Sequence, residues 1–388
     1  MKSLSIRSPL FIAVGCAVLA STQVNAIEPA AVDVGGFKLV PTLELRETYD
    51  DNFRGNNQAE SSWILGVKPT LTLSAEERNN LHELQYSFNH ERYHSSSRDN
   101  NTDHHVTART NLEFDVRNRL NLDAGWHKTE DVFGSDAAPG SLNDRFTDTN
   151  FGAAYVYGAP SARGNIEVGY NHFRKRTDNS INIEKERNTN QVYGVFYYGL
   201  TPKMRAITEV RRTSQDYRLS TSTLDSTTMA YLAGLSWDAT AKTTGTAKLG
   251  YEKRKFDDSS RENASGSMWE VGVQWEPLTY STFALNMRRG LDEGDDGASA
   301  IQSTNTSLNW NHRWSSFISS DVSYSYLNED YEGDNRTDKT QTFGLGLTYE
   351  VRRWMDVGIG YSYSDKSSPL SAENFDRNLY MLKMNVSL

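Results

Sequence analysis

The chain has 388 residues, a formal net charge of -9, 37% hydrophobic and 23% charged residues, and a mean hydropathy of -0.66. That polarity excludes a helical membrane protein, which needs runs of about 20 apolar residues, but not a barrel, whose strands carry apolar residues only at alternate positions. The acidic balance argues against a nucleic-acid partner.

Residues 1–26 read as a signal peptide, with Lys2 and Arg7 as the charged region, Leu10 to Ala20 as a short apolar run and Val24-Asn25-Ala26 as the cleavage site. Cys16 is the only cysteine, so cleavage after Ala26 leaves none and no disulfide or Cys-ligated metal site. Without Lys2 and Arg7 the net charge becomes about -11. Residues 27–36 are expected to be a short periplasmic segment, and 37–388 a single domain.

From Phe37 onward nearly every segment alternates apolar and polar. Trp269, Val271, Val273 and Trp275 share one parity, as do Phe343, Leu345, Leu347 and Tyr349, then Met355, Val357, Ile359, Tyr361 and Tyr363, and finally Tyr380, Leu382, Met384, Val386 and Leu388. Period two over about ten residues is a strand with one apolar face. Such segments fall at 37–49, 61–75, 79–94, 103–116, 119–131, 146–158, 164–177, 188–199, 203–217, 226–237, 243–256, 266–275, 280–291, 300–314, 317–331, 337–350, 354–366 and 377–388. The connections alternate between long and short, with both termini on the short-turn side. The fold expected is therefore all-β: a single antiparallel transmembrane β-barrel of about 18 strands, with short periplasmic turns and longer outer loops, in the outer membrane of a Gram-negative-type cell. A soluble sandwich or propeller has no reason to alternate in this way.

Aromatic residues mark the two rims. Trp237, Trp275, Trp314 and Trp354, with Tyr157 and Tyr198, adjoin short turns and read as a periplasmic girdle; Tyr93, Tyr217, Phe256, Tyr331 and Tyr363 adjoin long loops and read as an outer one. The alternating C-terminal strand suits recognition by barrel-assembly machinery, although Leu388 stands where an aromatic is commoner.

Near the start, Leu39-Val40-Pro41-Thr42-Leu43-Glu44-Leu45-Arg46-Glu47-Thr48-Tyr49-Asp50-Asp51-Asn52 precedes Ser62-Trp63-Ile64 and Lys68-Pro69-Thr70-Leu71-Thr72-Leu73. Two Pro-x-Leu strands about a Tyr-Asp-Asp-Asn turn resemble the opening of the putative beta-barrel porin 2 family. The resemblance implies an outer-membrane barrel, with an association to export of exopolysaccharide or capsule and to periplasmic export components. It supplies no catalytic motif.

No phosphate loop, dinucleotide turn, Gly-x-Ser-x-Gly elbow or His-Glu-x-x-His motif is present, so no cofactor and no enzymatic activity is expected. His104-His105 could suggest a metal pair, but adjacent strand residues point to opposite faces. Asp292-Glu293-Gly294-Asp295-Asp296-Gly297 resembles a calcium loop but has Ser303 at the twelfth position; Asn328 to Asp334 is similarly acidic, and both could hold divalent cations loosely.

The most suggestive pattern is basic: Arg174-Lys175-Arg176, Arg211-Arg212, Lys253-Arg254-Lys255 and Arg288-Arg289 fall late in strands that run outward. Parity places Arg205, Glu209, Arg211, Lys248, Glu252, Arg254 and Arg288 in the lumen, while the outward members would meet the phosphates of outer-membrane lipid and lipopolysaccharide. The lumenal arginines either guide an anionic polymer or solute or pair with lumenal carboxylates such as Glu83, Glu113, Asp115, Asp123, Glu167 and Asp321. The loop from Val132 to Arg145, with Pro139 and Gly140, could narrow the pore. The functions consistent with this are a passive conduit for exopolysaccharide or its fragments, a general diffusion porin for small solutes, a surface adhesin, or an outer-membrane lipid hydrolase.

Overall fold

The computed structural model describes residues 31–133, 143–179, 182–240, 242–294 and 298–387, with 239 and 240 described by their backbone. The expected signal peptide with Cys16, the loop residues Pro139 and Gly140, and positions 295–297 of the acidic loop lie outside the described residues.

Among the described residues the strands are β1 (Val32–Val34), β2 (Phe37–Asp50), β3 (Ser62–Glu77), β4 (Asn80–Tyr93), β5 (Asn101–Asp115), β6 (Asn118–Asp131), β7 (Asp144–Tyr157), β8 (Gly164–Thr177), β9 (Arg187–Thr201) and β10 (Met204–Tyr217). They continue as β11 (Ser226–Thr240), β12 (Thr243–Phe256), β13 (Ala264–Leu278), β14 (Ser281–Glu293), β15 (Ala300–Arg313), β16 (Ile318–Tyr331), β17 (Thr337–Arg352), β18 (Met355–Ser367) and β19 (Phe375–Ser387). Each strand from β2 to β19 pairs antiparallel with its successor, and β19 returns to β2, from Leu379↔Asp50 to Ser387↔Thr42. The sheet is thus a closed antiparallel barrel of 18 strands. Closure leaves no barrel strand with a free edge, which a membrane requires.

The alternation of long and short connections holds, except that the turn 158–163 is longer than the loop 332–336. Register shifts between paired strands all lie near the short turns, at Met204/Arg205, Asp238/Thr240, Trp275/Leu278, Glu350/Arg352 and Glu113/Asp115. Gly158 opens the longest of these turns at φ 120°, a conformation strained for any side chain.

The segment 27–36, read as a short periplasmic segment, contains β1. It pairs with β2 from Val32↔Leu39 to Val34↔Phe37. The β3 edge of β2 is already occupied at Lys38↔Ser74 and Leu39↔Leu73, so β1 takes the other edge and continues the lane of β19.

Apolar side chains coat the outside. Leu249, Ile359 and Leu382 are 67%, 61% and 59% exposed, as lipid-facing residues of a barrel are before lipid covers them. Among the described residues no helix is long and apolar enough to cross a membrane; the crossing is made by strands. At the short-turn rim Trp275 stacks on Phe283 at 5.1 Å, Phe283 on Trp310 at 5.7 Å, and Trp310 meets Trp314 at 6.4 Å; Trp314 and Trp354 are exposed and Trp237 lies against the Gly245 backbone. The long-loop rim differs from expectation. Tyr363 faces outward, but Tyr93 and Tyr331 are buried, and Tyr217 and Phe256 share the inward parity of Arg187 and Ser226, their strand partners. These four fill the mouth of the barrel, while Tyr49 and Trp63, in contact at 5.2 Å, stand on its outer surface.

Candidate functional site

The lumen is lined by every second residue of each strand. On β10, β12 and β13 this brings four charges into one closed set. Arg211 donates to Glu209 from Nε at 2.9 Å and Nη2 at 2.5 Å, and to Glu270 from Nη1 at 3.1 Å. Lys248 reaches the same two carboxylates, Glu209 at 2.9 Å and Glu270. Two cations and two anions therefore cancel within one patch. Burial without partners would cost each ion several kcal/mol, and reciprocal pairing is what allows Glu209, Arg211 and Lys248 to be buried.

Above this set the wall parts. Pairing of β13 with β14 ends at Trp269↔Arg289, whereas β14 stays paired with β15 up to Glu293↔Ala300. The top of the β14–β15 hairpin leans over β13 into the lumen. There Glu252 accepts the Leu291 N–H at 2.6 Å, and Arg254 donates from Nη2 to the Leu291 carbonyl at 3.0 Å and from Nη1 to the Asp292 carbonyl at 2.7 Å. Arg288 forks onto Asp292 at 2.7 and 3.1 Å. Glu293, at the hairpin tip, accepts Gln215 at 3.1 Å and forms an ion pair with Arg187 of β9. Met268, Leu291, Ala264 and Ala300 are buried beneath.

The predicted lumenal residues thus divide. Glu209, Arg211 and Lys248 join Glu270 in the balanced set; Glu252 and Arg254 of β12 latch the hairpin, and Arg288 braces it from within through Asp292. Arg205 stands apart near a short turn, donating to the Pro160 carbonyl and to Asn165 at 3.4 Å. Of the carboxylates expected as partners, Glu83 meets the inward Arg109 at 3.8 Å, whereas Glu167 accepts Tyr193 at 3.1 Å and Tyr197 at 3.4 Å, and Asp115 accepts the Arg117 N–H at 2.7 Å. Sequence reasoning missed Glu270, Arg187 and Glu293. Glu270 was legible, since it lies between outward Trp269 and Val271; Arg187 and Glu293 fall just beyond the predicted ends of their strands.

The acidic loop 292–297 does not offer free carboxylates at its start, because Asp292 and Glu293 are engaged as above. In the second acidic segment, Asp330 accepts Asn328 at 3.1 Å and Thr337 at 3.0 Å. Among the described residues no group of three or more His, Cys, Asp or Glu side chains could hold a metal ion. The His104-His105 pair divides as parity requires: His104 meets Tyr86 at 3.0 Å on the outer surface, and His105 turns inward.

A second wall has a different character. The inward positions of β15 to β18 include Asn305, Ser307, Asn309, Ser323, Ser325, Thr342 and Ser364, with Asp321 nearer the short turns. These hydroxyls and amides offer both donors and acceptors without net charge.

The flanks of the β6–β7 loop reach across the mouth. Val132 is buried with Phe53, Ile64 and Tyr93, residues of β3, β4 and the loop 51–61. Phe133 packs edge-on against Phe375 at 5.5 Å and lies 4.0 Å from the Arg377 guanidinium of β19. Asp99, fully buried, ties these loops together by accepting Arg54 at 2.7 Å and Asn143 at 3.1 Å. At the loop between β8 and β9, Glu186 accepts the Thr177 N–H at 3.1 Å, its hydroxyl at 3.0 Å and Arg218 at 2.9 Å. Burial opposes ionisation there, but these three donors prevail and hold the carboxyl below its usual range.

The profile of the putative beta-barrel porin 2 family matches residues 25–388, and the chain belongs to that family. It is a porin-like outer-membrane β-barrel. No curated protein matches the sequence. Among solved structures it is similar to OccK3 (OpdO) of Pseudomonas aeruginosa, at 14% identity and a TM-score of 0.48, covering 90% of this chain and 95% of that one. It is similar to OccAB4 of Acinetobacter baumannii at 12% identity and a TM-score of 0.47, covering 90% and 98%. It is also similar to the apoprotein form of the FrpB iron transporter (F5-1 variant) of Neisseria meningitidis, at 13% identity and a TM-score of 0.50, covering 87% of this chain and 62% of that one. The chain thus spans less than two thirds of the FrpB length, and at these identities the likeness is one of fold.

Proposed function

We propose that this barrel is a passive outer-membrane porin for small polar solutes of little net charge, carbohydrate fragments included. The observation that carries the reading is the pairing of Arg211 and Lys248 with Glu209 and Glu270, which leaves no strong net field on that wall, next to a wall of hydroxyls and amides. A pore built to attract anions would leave its arginines unpaired. Liposome swelling with neutral sugars of increasing size tests this: permeation should fall steeply with size and differ little between neutral and zwitterionic solutes of equal mass. A strong preference for anions would overturn the reading.

Export of an exopolysaccharide is the second reading, supported by the family resemblance and by the same hydroxyls and amides. It requires Val132 and Phe133, which flank the β6–β7 loop, and the top of the β14–β15 hairpin to move aside for a polymer. Clean deletion, followed by quantification of surface, periplasmic and released polysaccharide, separates the two. Loss at the surface with accumulation inside supports export; unchanged polymer in every fraction supports the small-solute porin.

A further inference from the structure

We infer that His105 and His127 form a transition-metal site in the lumen, suited to a divalent ion of tetragonal preference such as Cu2+. The inference stands apart from what the pore carries. The two histidines are direct partners across β5 and β6, in a stretch of unbroken register from His104↔Lys128 to Glu113↔Arg119. Both are half-buried, so lumenal solvent can reach them. Their rings lie 5.2 Å apart at 51°, and the two Nδ1 atoms are 3.0 Å apart.

With no ion present, one imidazole donates an N–H to the other. The spacing is also that of a chelate. Metal–imidazole bonds of about 2.0–2.1 Å place the two nitrogens about 2.9 Å apart at a right angle and about 3.3 Å apart at the tetrahedral angle. The observed 3.0 Å lies at the right-angle end, the geometry that Cu2+ and Ni2+ favour, and Cu2+ leads in affinity for nitrogen ligands. Binding needs no net proton loss. The Nδ1 proton moves to Nε2 of the same ring, and both rings must swing so that their lone pairs, which lie along the line between the nitrogens in the hydrogen bond, converge on the ion.

The surroundings agree. His127 is paired in turn with Asp148 on β7, whose Oδ1 is buried and has no hydrogen-bond partner among the described residues. A carboxylate beside the pair favours a cation, although Lys175, the next residue in the row, sets a limit on that benefit. Two protein ligands leave the other coordination positions to water, so the ion would exchange with the lumen instead of holding the fold together. The strands on which the two rings sit are fixed by the barrel, so little order is lost on binding.

The test is a Cu2+ titration of the folded barrel in detergent, purified without a polyhistidine tag, followed by electron paramagnetic resonance. One Cu2+ per chain with splitting from two nitrogens, removed by EDTA, is the expected result. His105→Asn and His127→Asn should each weaken binding at least tenfold, while His104→Asn, on the outer surface of the same strand, should leave it unchanged. Gel mobility before and after heating confirms that each variant is folded. If a variant does not fold, the wild-type spectrum still decides: no bound Cu2+, or a spectrum with fewer than two nitrogens, overturns the inference. So does unchanged affinity in a folded His105→Asn or His127→Asn variant.

Discussion

Arg254 on β12 donates to the carbonyl oxygen of Leu291 on β14 at 3.0 Å, reaching past β13 entirely. A strand pair separated by another strand meets in this way only because the top of β14 has parted from β13, while β15 stays paired with β16 up to Ile301↔Tyr331. Together with Glu252, which holds the Leu291 N–H, the arginine replaces the strand partner that the top of β14 has given up. Arg254→Ala should therefore release the hairpin. Single-channel recordings in planar bilayers are expected to show higher conductance and more frequent transitions than wild type, and Glu252→Ala should act in the same direction. Unchanged traces in both variants would mean that the hairpin is not a restriction.

The balanced set predicts a sign change. Glu270→Gln leaves Arg211 and Lys248 sharing one carboxylate, and the zero-current potential in a salt gradient should move toward anion selectivity. Lys248→Met leaves Glu209 and Glu270 with one cation and should move it toward cation selectivity. Shifts in the same direction for both would refute the pairing as the determinant.

At the seam between β19 and β2, Arg377 Nε contacts both Asp50 carboxylate oxygens at 3.1 Å and Nη2 contacts Oδ2 at 2.6 Å. Asp50 is fully buried, so truncation of either partner should cost about 3 kcal/mol. Urea unfolding of the refolded barrel checks this, with the double variant Asp50→Ala/Arg377→Ala less destabilised than the sum of the two single ones.

Glu186 gives a pH dependence with a defined sign. Its folded pKa lies below the ordinary 4.5, so its stabilisation is complete above the ordinary value and is lost as pH falls through the folded value. Amide exchange at Thr177 should therefore be slow at neutral pH and should gain an acid-dependent opening below about pH 4.5. Glu186→Gln should remove that dependence.

The strands were legible because lipid and lumen impose opposite chemistry on successive residues. The spans of β8 and β12 agree with the sequence reading at both ends, and the other barrel strands differ by a few residues at most. The mouth was not legible. Val132 and Phe133 meet residues of the loop 51–61, β3, β4 and β19, contacts that no local periodicity announces. Tyr93 and Tyr331 sit next to long loops, as girdle residues do, yet the parity of their strands turns them inward. The inward lean of β14 depends on a loss of pairing above Arg289 that alternation cannot reveal. β1 is three residues long, too short for a period to register.

That short strand bears on how the barrel closes. The last strand must zip along the free edge of β2, and a slip by two residues would keep every side chain on its proper face, so alternation alone does not forbid it. Val32 to Val34 already occupy the lower end of that edge, with only Val40 and Pro41 between the two partners among the described residues. A last strand sliding downward runs into β1. The hairpin thus acts as a doorstop, fixing the closing register by occupying the place where the wrong one would go.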